Sequence, residues 1–596
     1  MFNLGPLHLL FYTVLSTVIL GNANALESLD GLQFDFIVIG GGTAGNVIAN
    51  RLTENPKFSV LVLEAGPSNE GVLESEVPFL CTHLTPNTAY SWNFTTTAQP
   101  GLGGRAIPYP VGHILGGSSA VNFHIYTRGT SEDFDRYAQV SGDDGWSWKA
   151  LQPYFKKNEK WTLPVDHHNI TGQFDPAVHG FSGINSVSLA GYPSSINDRV
   201  MNTSAVLGGD FRFNLDQNSG KSLGLGWVQT TINGHSRSSS ATSYLASQYR
   251  SRPNLHVLLN VQVSRLFTTG TVSGMPDIRG VEYRSRSNGI LRRLIASKEV
   301  ILSAGTIGSA HVLMNSGIGD SATLKSIGIK PIVNLPDVGQ HLSDHPLGGG
   351  IFSVSGNGSY DIFNQDPIVR EQELVQWKTS GTGLLVNTIA DHIVFSRIPQ
   401  DDPIFQTTLD PAAGPNTPHF ELLVANGLPF GALPPTGNFV TMANVVVQPT
   451  SRGSVTLNSS DPFALPVIDP ALLSSEFDKV AMRIALKKTL EFFAAPAWSD
   501  YIISPVGGLE NATTDAQLDS YIAGFAQTIF HPVGTAKMTG KQATDGVVNP
   551  DLTVKNAANL RVVDASVLPF LPSAHPQAVV YVFAERASDL IKAAHR

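Results

Sequence analysis

Asp35-Phe36-Ile37-Val38-Ile39-Gly40-Gly41-Gly42-Thr43-Ala44-Gly45 is the stretch that decides the fold. Phe36 to Ile39 are continuously apolar, the pattern of a strand buried on both faces of a parallel sheet. The run ends in G-x-G-x-x-G. A helical pattern follows, with Ala44, Val47, Ile48 and Leu52 recurring on one face. A second apolar run, Ser59 to Leu63, ends at Glu64. Each glycine has its own job: Gly40 makes the tight turn, Gly42 lets backbone approach a pyrophosphate, and Gly45 lets the helix pack on the strand. The start of that helix offers free N–H groups and partial positive charge to phosphates. Glu64 stands where a carboxylate accepts ribose hydroxyls. A lone glycine motif is weak evidence; strand, motif, helix, strand and terminal acid in this order read as a dinucleotide-binding unit. NAD and FAD both fit. The acid argues against a 2′-phosphate, hence against NADP.

Two distant runs read as strands of the same sheet: Glu299 to Ser303, followed by Ala304-Gly305, and Leu560 to Asp564. One nucleotide-binding domain is therefore expected from the start, middle and end of the chain, with the intervening segments forming a second domain. Residues 400–418 read as loop, because Pro403, Pro411 and Pro415 interrupt any element.

Composition narrows the class. The chain has 596 residues, 42% hydrophobic and 15% charged, which excludes a mostly disordered protein. A net charge of −9 without a long basic run gives no footprint for nucleic acid. Cys81 is the only cysteine, so neither an internal disulfide nor a cysteine-based metal site is possible. Residues 7–20 form an apolar run followed by Ala23-Asn24-Ala25. This reads as a signal peptide, residues 1–25, although no Lys or Arg precedes the run. The alternative, a membrane anchor, is short of the roughly 20 residues a span needs. Six sequons, at Asn93, Asn169, Asn202, Asn357, Asn458 and Asn511, agree with export. A secreted, extracellular glycoprotein, monomeric and without a membrane span, is the expectation.

Two further segments carry a family resemblance: Gly112-His113-Ile114-Leu115-Gly116-Gly117-Ser118-Ser119-Ala120-Val121-Asn122, and the stretch from Gly305 to Gly319. They resemble the two signatures of the glucose-methanol-choline (GMC) oxidoreductases, which are FAD enzymes. The resemblance runs from about Phe34 to Ile591. Residues 130–137 and 528–535 look most like fungal aryl-alcohol oxidases. His113, Ala310 and His341 depart from the family pattern. The resemblance implies a two-domain α+β/α/β fold: a Rossmann-like FAD-binding domain built from discontinuous segments, and a substrate domain with a large antiparallel sheet and helices. Its division would be FAD-binding parts at 33–80, 236–345 and 546–596, a flavin-covering lid with the signature loop at 81–130, and substrate-domain parts at 131–235 and 346–545. It further implies cofactor contacts from Gly40, Gly42, Thr43, Ala44, Gly45, Glu64, Ala65, Gly117, Ser118, Asn122, Phe123, Val263, Asp564, Ala565 and Gln577. Relatives with covalent flavin carry His just before the Asn of the first signature. Here that residue is Val121, so the FAD is expected to be non-covalent.

Alcohol oxidation needs a base for the hydroxyl proton and an acceptor for a hydride, and neutral imidazole suits the first task. Of 17 histidines, two match the family's catalytic positions: His531, in Gln527-Thr528-Ile529-Phe530-His531-Pro532, as the base, and His575, in Pro572-Ser573-Ala574-His575-Pro576, as the second active-site residue. A helical stretch from Pro576 to Ala593 follows His575; its N-terminus would face the flavin. Phe123 and Phe530 match aromatic, substrate-facing positions of aryl-alcohol oxidases. Phe430 is a third pocket candidate, for which core filler stays open as the alternative. Aromatic walls would favour aromatic or allylic primary alcohols. The electrons would pass to O2, giving H2O2, or to a quinone-type acceptor in a related dehydrogenase, one acting on sugars included. No metal is expected: His167-His168 and the group His341/Asp344/His345 lack a convincing ligand set and read as loop or structural residues.

Overall fold

The computed structural model describes residues 32–286, 288–429 and 434–595. The expected signal peptide and Phe430 lie outside the described residues.

The three-segment sheet is observed. Phe34–Ile39 sits between Val60–Leu63 and Leu291–Leu302, parallel to both, with Val38 opposite Val62 and Ile301. Leu255–Leu258 extends one side and Leu560–Val562 the other, again parallel. Continuous burial of Val60–Leu63 explains its unalternating apolar sequence. The strand expected at Glu299 is the end of a longer one: its first half, from Leu291, pairs antiparallel with Gly280–Ser285, which in turn pairs with Val261–Phe267. That half is largely exposed and carries Arg292 and Arg293, so no apolar run marks it. The helices Thr43–Leu52 and Gln577–Ala594 pack against each other on this sheet.

The second sheet is antiparallel, in the order Ile502–Val506, Pro346–Val354, Phe439–Val446, Phe420–Ala425, Ala390–Ser396, Gly224–Trp227. Its central strands are buried on both faces. Leu422, Val424 and Met442 pack on the helix Glu476–Phe493, while Leu423, Ala443 and Val445 join Ile125 on the opposite face. Period-two alternation thus turns Glu421, Leu423 and Ala425 away from that helix. The two-residue strand Gln527–Thr528 pairs with Pro346 and Leu347, which brings the segment before His531 beside the segment after His345.

The packing adds detail to the expected division. Residues 131–235 do not all pack as one substrate-domain segment. Ser131–Ser141 and Trp148–Asn158 bury Phe134, Tyr137, Leu151 and Phe155 in the first core, and Trp148–Asn158 lies against Gln577–Ala594. These amphipathic helices go where an apolar stripe is open to them. Val533, Ala536 and Met538, from the other expected substrate segment, join the same core. The 400–418 loop also contains one 3₁₀ turn, Pro403–Gln406, which Pro403 starts rather than breaks. No helix among the described residues is long and apolar enough to cross a membrane. All six sequon asparagines are exposed.

Candidate active site

The strands of the first sheet point their C-terminal ends at one cavity, the usual place for a ligand in such sheets. Glycine geometry shapes its floor. Gly40 has φ +99°, and a Cβ there would sit 2.4 Å from Ser303 O. A Cβ on Gly45 would sit 2.0 Å from Gly40 O, so only glycine lets the helix meet the strand. Gly117, from the first signature, lies back to back with Gly42; a Cβ on it would sit 2.7 Å from Gly42 Cα. No side chain caps the helix Thr43–Leu52, so its first-turn N–H groups have no side-chain acceptor where Gly42, Thr43 and Ala44 line the cavity.

Every expected cofactor residue except Gly45, which packs beneath, lines this cavity. Glu64 accepts from the N–H groups of Gly41 and Gly66, each at 2.7 Å, yet burial pushes its carboxyl up to about 7. Asp564 accepts from Gly305 N–H, Ser309 Oγ–H and Ser566 N–H, tying the last strand to the second signature's helix, Gly305–Asn315. Asn122 Nδ2 donates to Gln577 Oε1 at 2.7 Å. Gln577 Nε2 is buried without an acceptor in bonding geometry. The helix Gln577–Ala594 also starts uncapped.

His531 and His575 line the same cavity, their ring centroids 4.7 Å apart at 79°. Phe530 is held at φ +66°, a costly conformation for a bulky residue, and its N–H donates to Thr528 Oγ1. Burial, with His575 and His345 as neighbours, holds His531 well below the ordinary imidazole range. Apolar side chains line the cavity as well: Phe123, Ile125, Ile389, Ala390, Leu423, Ala425, Ala443, Pro429, Ile529 and Phe530.

Three contributors are not apparent from sequence alone. His345 is buried, with Nδ1 3.0 Å from His531 Nδ1 and Nε2 3.1 Å from Val447 O. Asp344 accepts from Tyr109 OH, Thr528 Oγ1–H and the N–H groups of His345 and His531. Its four donors oppose the burial that raises its carboxyl to about 6. Glu421 Oε1 lies 3.0 Å from His575 Nε2, near enough for a charge contact but out of line for a hydrogen bond. Of the group His341/Asp344/His345, read as loop or structural residues, Asp344 and His345 are buried and bond His531. His341 stands apart, part-exposed at φ +63° near Asp337. Among the described residues there is no group of three or more His, Cys, Asp or Glu side chains that could hold a metal ion.

Comparisons with known proteins agree with this architecture. Family models described as GMC oxidoreductase match residues 34–347 and 449–584. The chain is 42% identical to "Dehydrogenase eriK" of Hericium erinaceus over 96% of each chain. It is 39% identical to "Pyranose dehydrogenase 3" of Leucoagaricus meleagris, over 94% of this chain and 93% of that one. A solved fungal aryl-alcohol oxidase superposes with a TM-score of 0.79 at 25% identity, covering 94% of this chain and 99% of the other. The chain belongs to the GMC oxidoreductases, FAD enzymes that act on CH–OH donors. The uncapped helix starts, the side-chain-free glycine floor and Gln577 Nε2, buried without an acceptor, fit that cofactor.

Proposed function

We propose that this GMC oxidoreductase oxidises apolar primary alcohols, aromatic or allylic, to aldehydes, with His531 as the base and His575 orienting the hydroxyl. The apolar wall around the two histidines carries this reading. A sugar brings several hydroxyls that would be buried without partners against Ile389, Leu423 and Ala443, at a cost for each. An aromatic ring instead gains from burial against Phe123 and Phe530.

His531 takes the hydroxyl proton as the C–H bond gives up its hydride. Bound FAD supplies the hydride acceptor and passes the electrons on to oxygen or a quinone. The imidazole is held uncharged before substrate arrives, so it is ready to accept a proton. His575 lies beside Glu421 and packs edge-on against His531, and both rings line the cavity, where the alcohol oxygen would meet one nitrogen of each. Gly40, Gly42, Thr43 and Ala44 would hold the pyrophosphate, Glu64 the ribose, and the start of Gln577–Ala594 would favour negative charge on the reduced ring. The FAD is proposed to be non-covalent. Val121 lines the cavity where covalent relatives carry histidine, and His124 turns away to the carbonyls of Pro78 and Thr231. Export with glycans on the six exposed asparagines belongs to the same proposal.

A second reading shares the site but not the acceptor: a dehydrogenase that uses quinones. The names of the relatives at 39–42% identity favour it. Anaerobic addition of 4-methoxybenzyl alcohol, and separately of glucose, tests the substrate. Bleaching of the flavin band by the alcohol is expected; bleaching by glucose alone would overturn the reading. Readmission of oxygen then separates the acceptors: recovery with peroxide marks an oxidase, and recovery only on adding benzoquinone marks a dehydrogenase.

A further inference from the structure

We infer that His345 is a positioning residue that sets the tautomer of His531, so that the base meets substrate with a bare Nε2. The inference deepens the proposed role of His531 and rests on it.

The assignment follows from which atoms can donate. Val447 O only accepts, so His345 Nε2, 3.1 Å away, carries the hydrogen. Neutral imidazole has one N–H, so His345 Nδ1 is bare. It lies 3.0 Å from His531 Nδ1, and two nitrogens bond only if one carries a hydrogen. His531 Nδ1 is therefore the protonated nitrogen, and its Nε2 is left with a lone pair. Among the described residues no group bonds that Nε2, and the ring lines the cavity.

The chain requires both rings to be neutral, and their surroundings agree. Burial takes His345 down to about 3, helped by His575, and holds His531 well below its ordinary value. The titratable groups facing the pair are His575, whose ring packs on His531, Asp344, which accepts from both backbone N–H groups, and Glu421 behind His575. Among the described residues no carboxylate bonds either imidazole of the pair. Orientation of the base by a neutral partner keeps its tautomer without raising its affinity for protons. Strand pairing fixes the placement: Ile529 N–H donates to His345 O at 3.1 Å, two residues before His531.

His345→Leu removes the acceptor, and His345→Asn restores one where Nδ1 stands. The flavin-loaded enzymes are mixed anaerobically with 4-methoxybenzyl alcohol, and the limiting rate of flavin bleaching and the apparent Kd are read separately. The leucine variant is expected to lose roughly 100-fold in rate with little change in Kd, and the asparagine variant to regain most of it. Equal rates for wild type and the leucine variant overturn the inference. So does an equal loss in both variants, which would mark a structural role. If the leucine variant holds no flavin, His345→Gln, which keeps a donor for Val447, takes its place with the same expectation. His531→Ala is run alongside: its collapse with His345→Leu unaffected sinks this inference alone, whereas full activity of His531→Ala sinks the role of His531 as well.

Discussion

His179 is buried and His531 is half-buried in the cavity wall, and their surroundings drive them in opposite directions. His179 lies between two carboxylates, with Nδ1 2.6 Å from Glu159 Oε1 and Nε2 2.7 Å from Asp216 Oδ2. Burial alone would lower its pKa, but the two acids raise it, and each ring nitrogen faces a carboxylate that only accepts, so both nitrogens carry hydrogen. Arg128 pairs with Glu159 behind it, and the network closes with two positive and two negative groups. His531 instead bonds His345 and packs on His575, and no acid bonds its ring. Burial then prevails and leaves it neutral. Partner choice, not depth, separates a structural cation from a base.

Predictions that break or sharpen this contrast start with His531→Ala. It should cut anaerobic flavin reduction by roughly 1,000-fold while flavin stays bound; stopped-flow rates check it. His179→Ala should leave those rates alone but destabilise the fold by about 3 kcal/mol, because Glu159 and Asp216 stay buried with less compensation. Thermal melts would show this, and their pH dependence has a sign. A raised histidine pKa contributes stability that is complete below its unfolded value of 6.5 and lost as pH climbs through the folded value. Glu159 and Asp216 are held below 4.5 and 3.8, so their share is lost as pH falls. The melting gap between wild type and variant should therefore be widest between 4.5 and 6.5 and narrow on either side.

A smaller effect belongs to His575→Ala, which removes an orienting contact: kcat should fall by roughly 10- to 100-fold. A kcat equal to the parent's would remove His575 from the account. Leu423→Asn should lower kcat/KM for 4-methoxybenzyl alcohol by roughly tenfold by placing an unpartnered amide in the apolar wall; steady-state kinetics with benzylic and sugar substrates measure it. The smallest expectation is a null change in the flavin bond: acid denaturation and ultrafiltration should release all of the yellow chromophore. Retained flavin would contradict the reading of Val121.

The glycine motif was readable because its chemistry is local: Gly40, Gly42 and Gly45 act within one turn. His531 and His575 were readable through their flanking motifs. His345 was not, since its partner lies 186 residues away and only the pairing of Gln527–Thr528 with Pro346–Leu347 joins them. Placed beside His341 and Asp344, it resembled a poor metal site. Glu421 was hidden for a similar reason. It sits in an apolar run, Phe420 to Ala425, whose alternation gives a face to each residue but no hint of what lies opposite. The wall residues Ile389, Leu423 and Ala443 look like core in sequence, and they are core except where the sheet meets the cavity. Chain order alone does not say which core the two helices at 131–158 join, because it carries nothing about which apolar surface is nearest.

The claim that His531 works as a neutral base is tested most directly by the pH dependence of the limiting rate of anaerobic flavin reduction by 4-methoxybenzyl alcohol. The account predicts a rate that stays level from neutral pH down through 6.5, with its acid limb well below that value. An acid limb at or above 6.5 would mean that His531 is protonated like an ordinary histidine, and would contradict it.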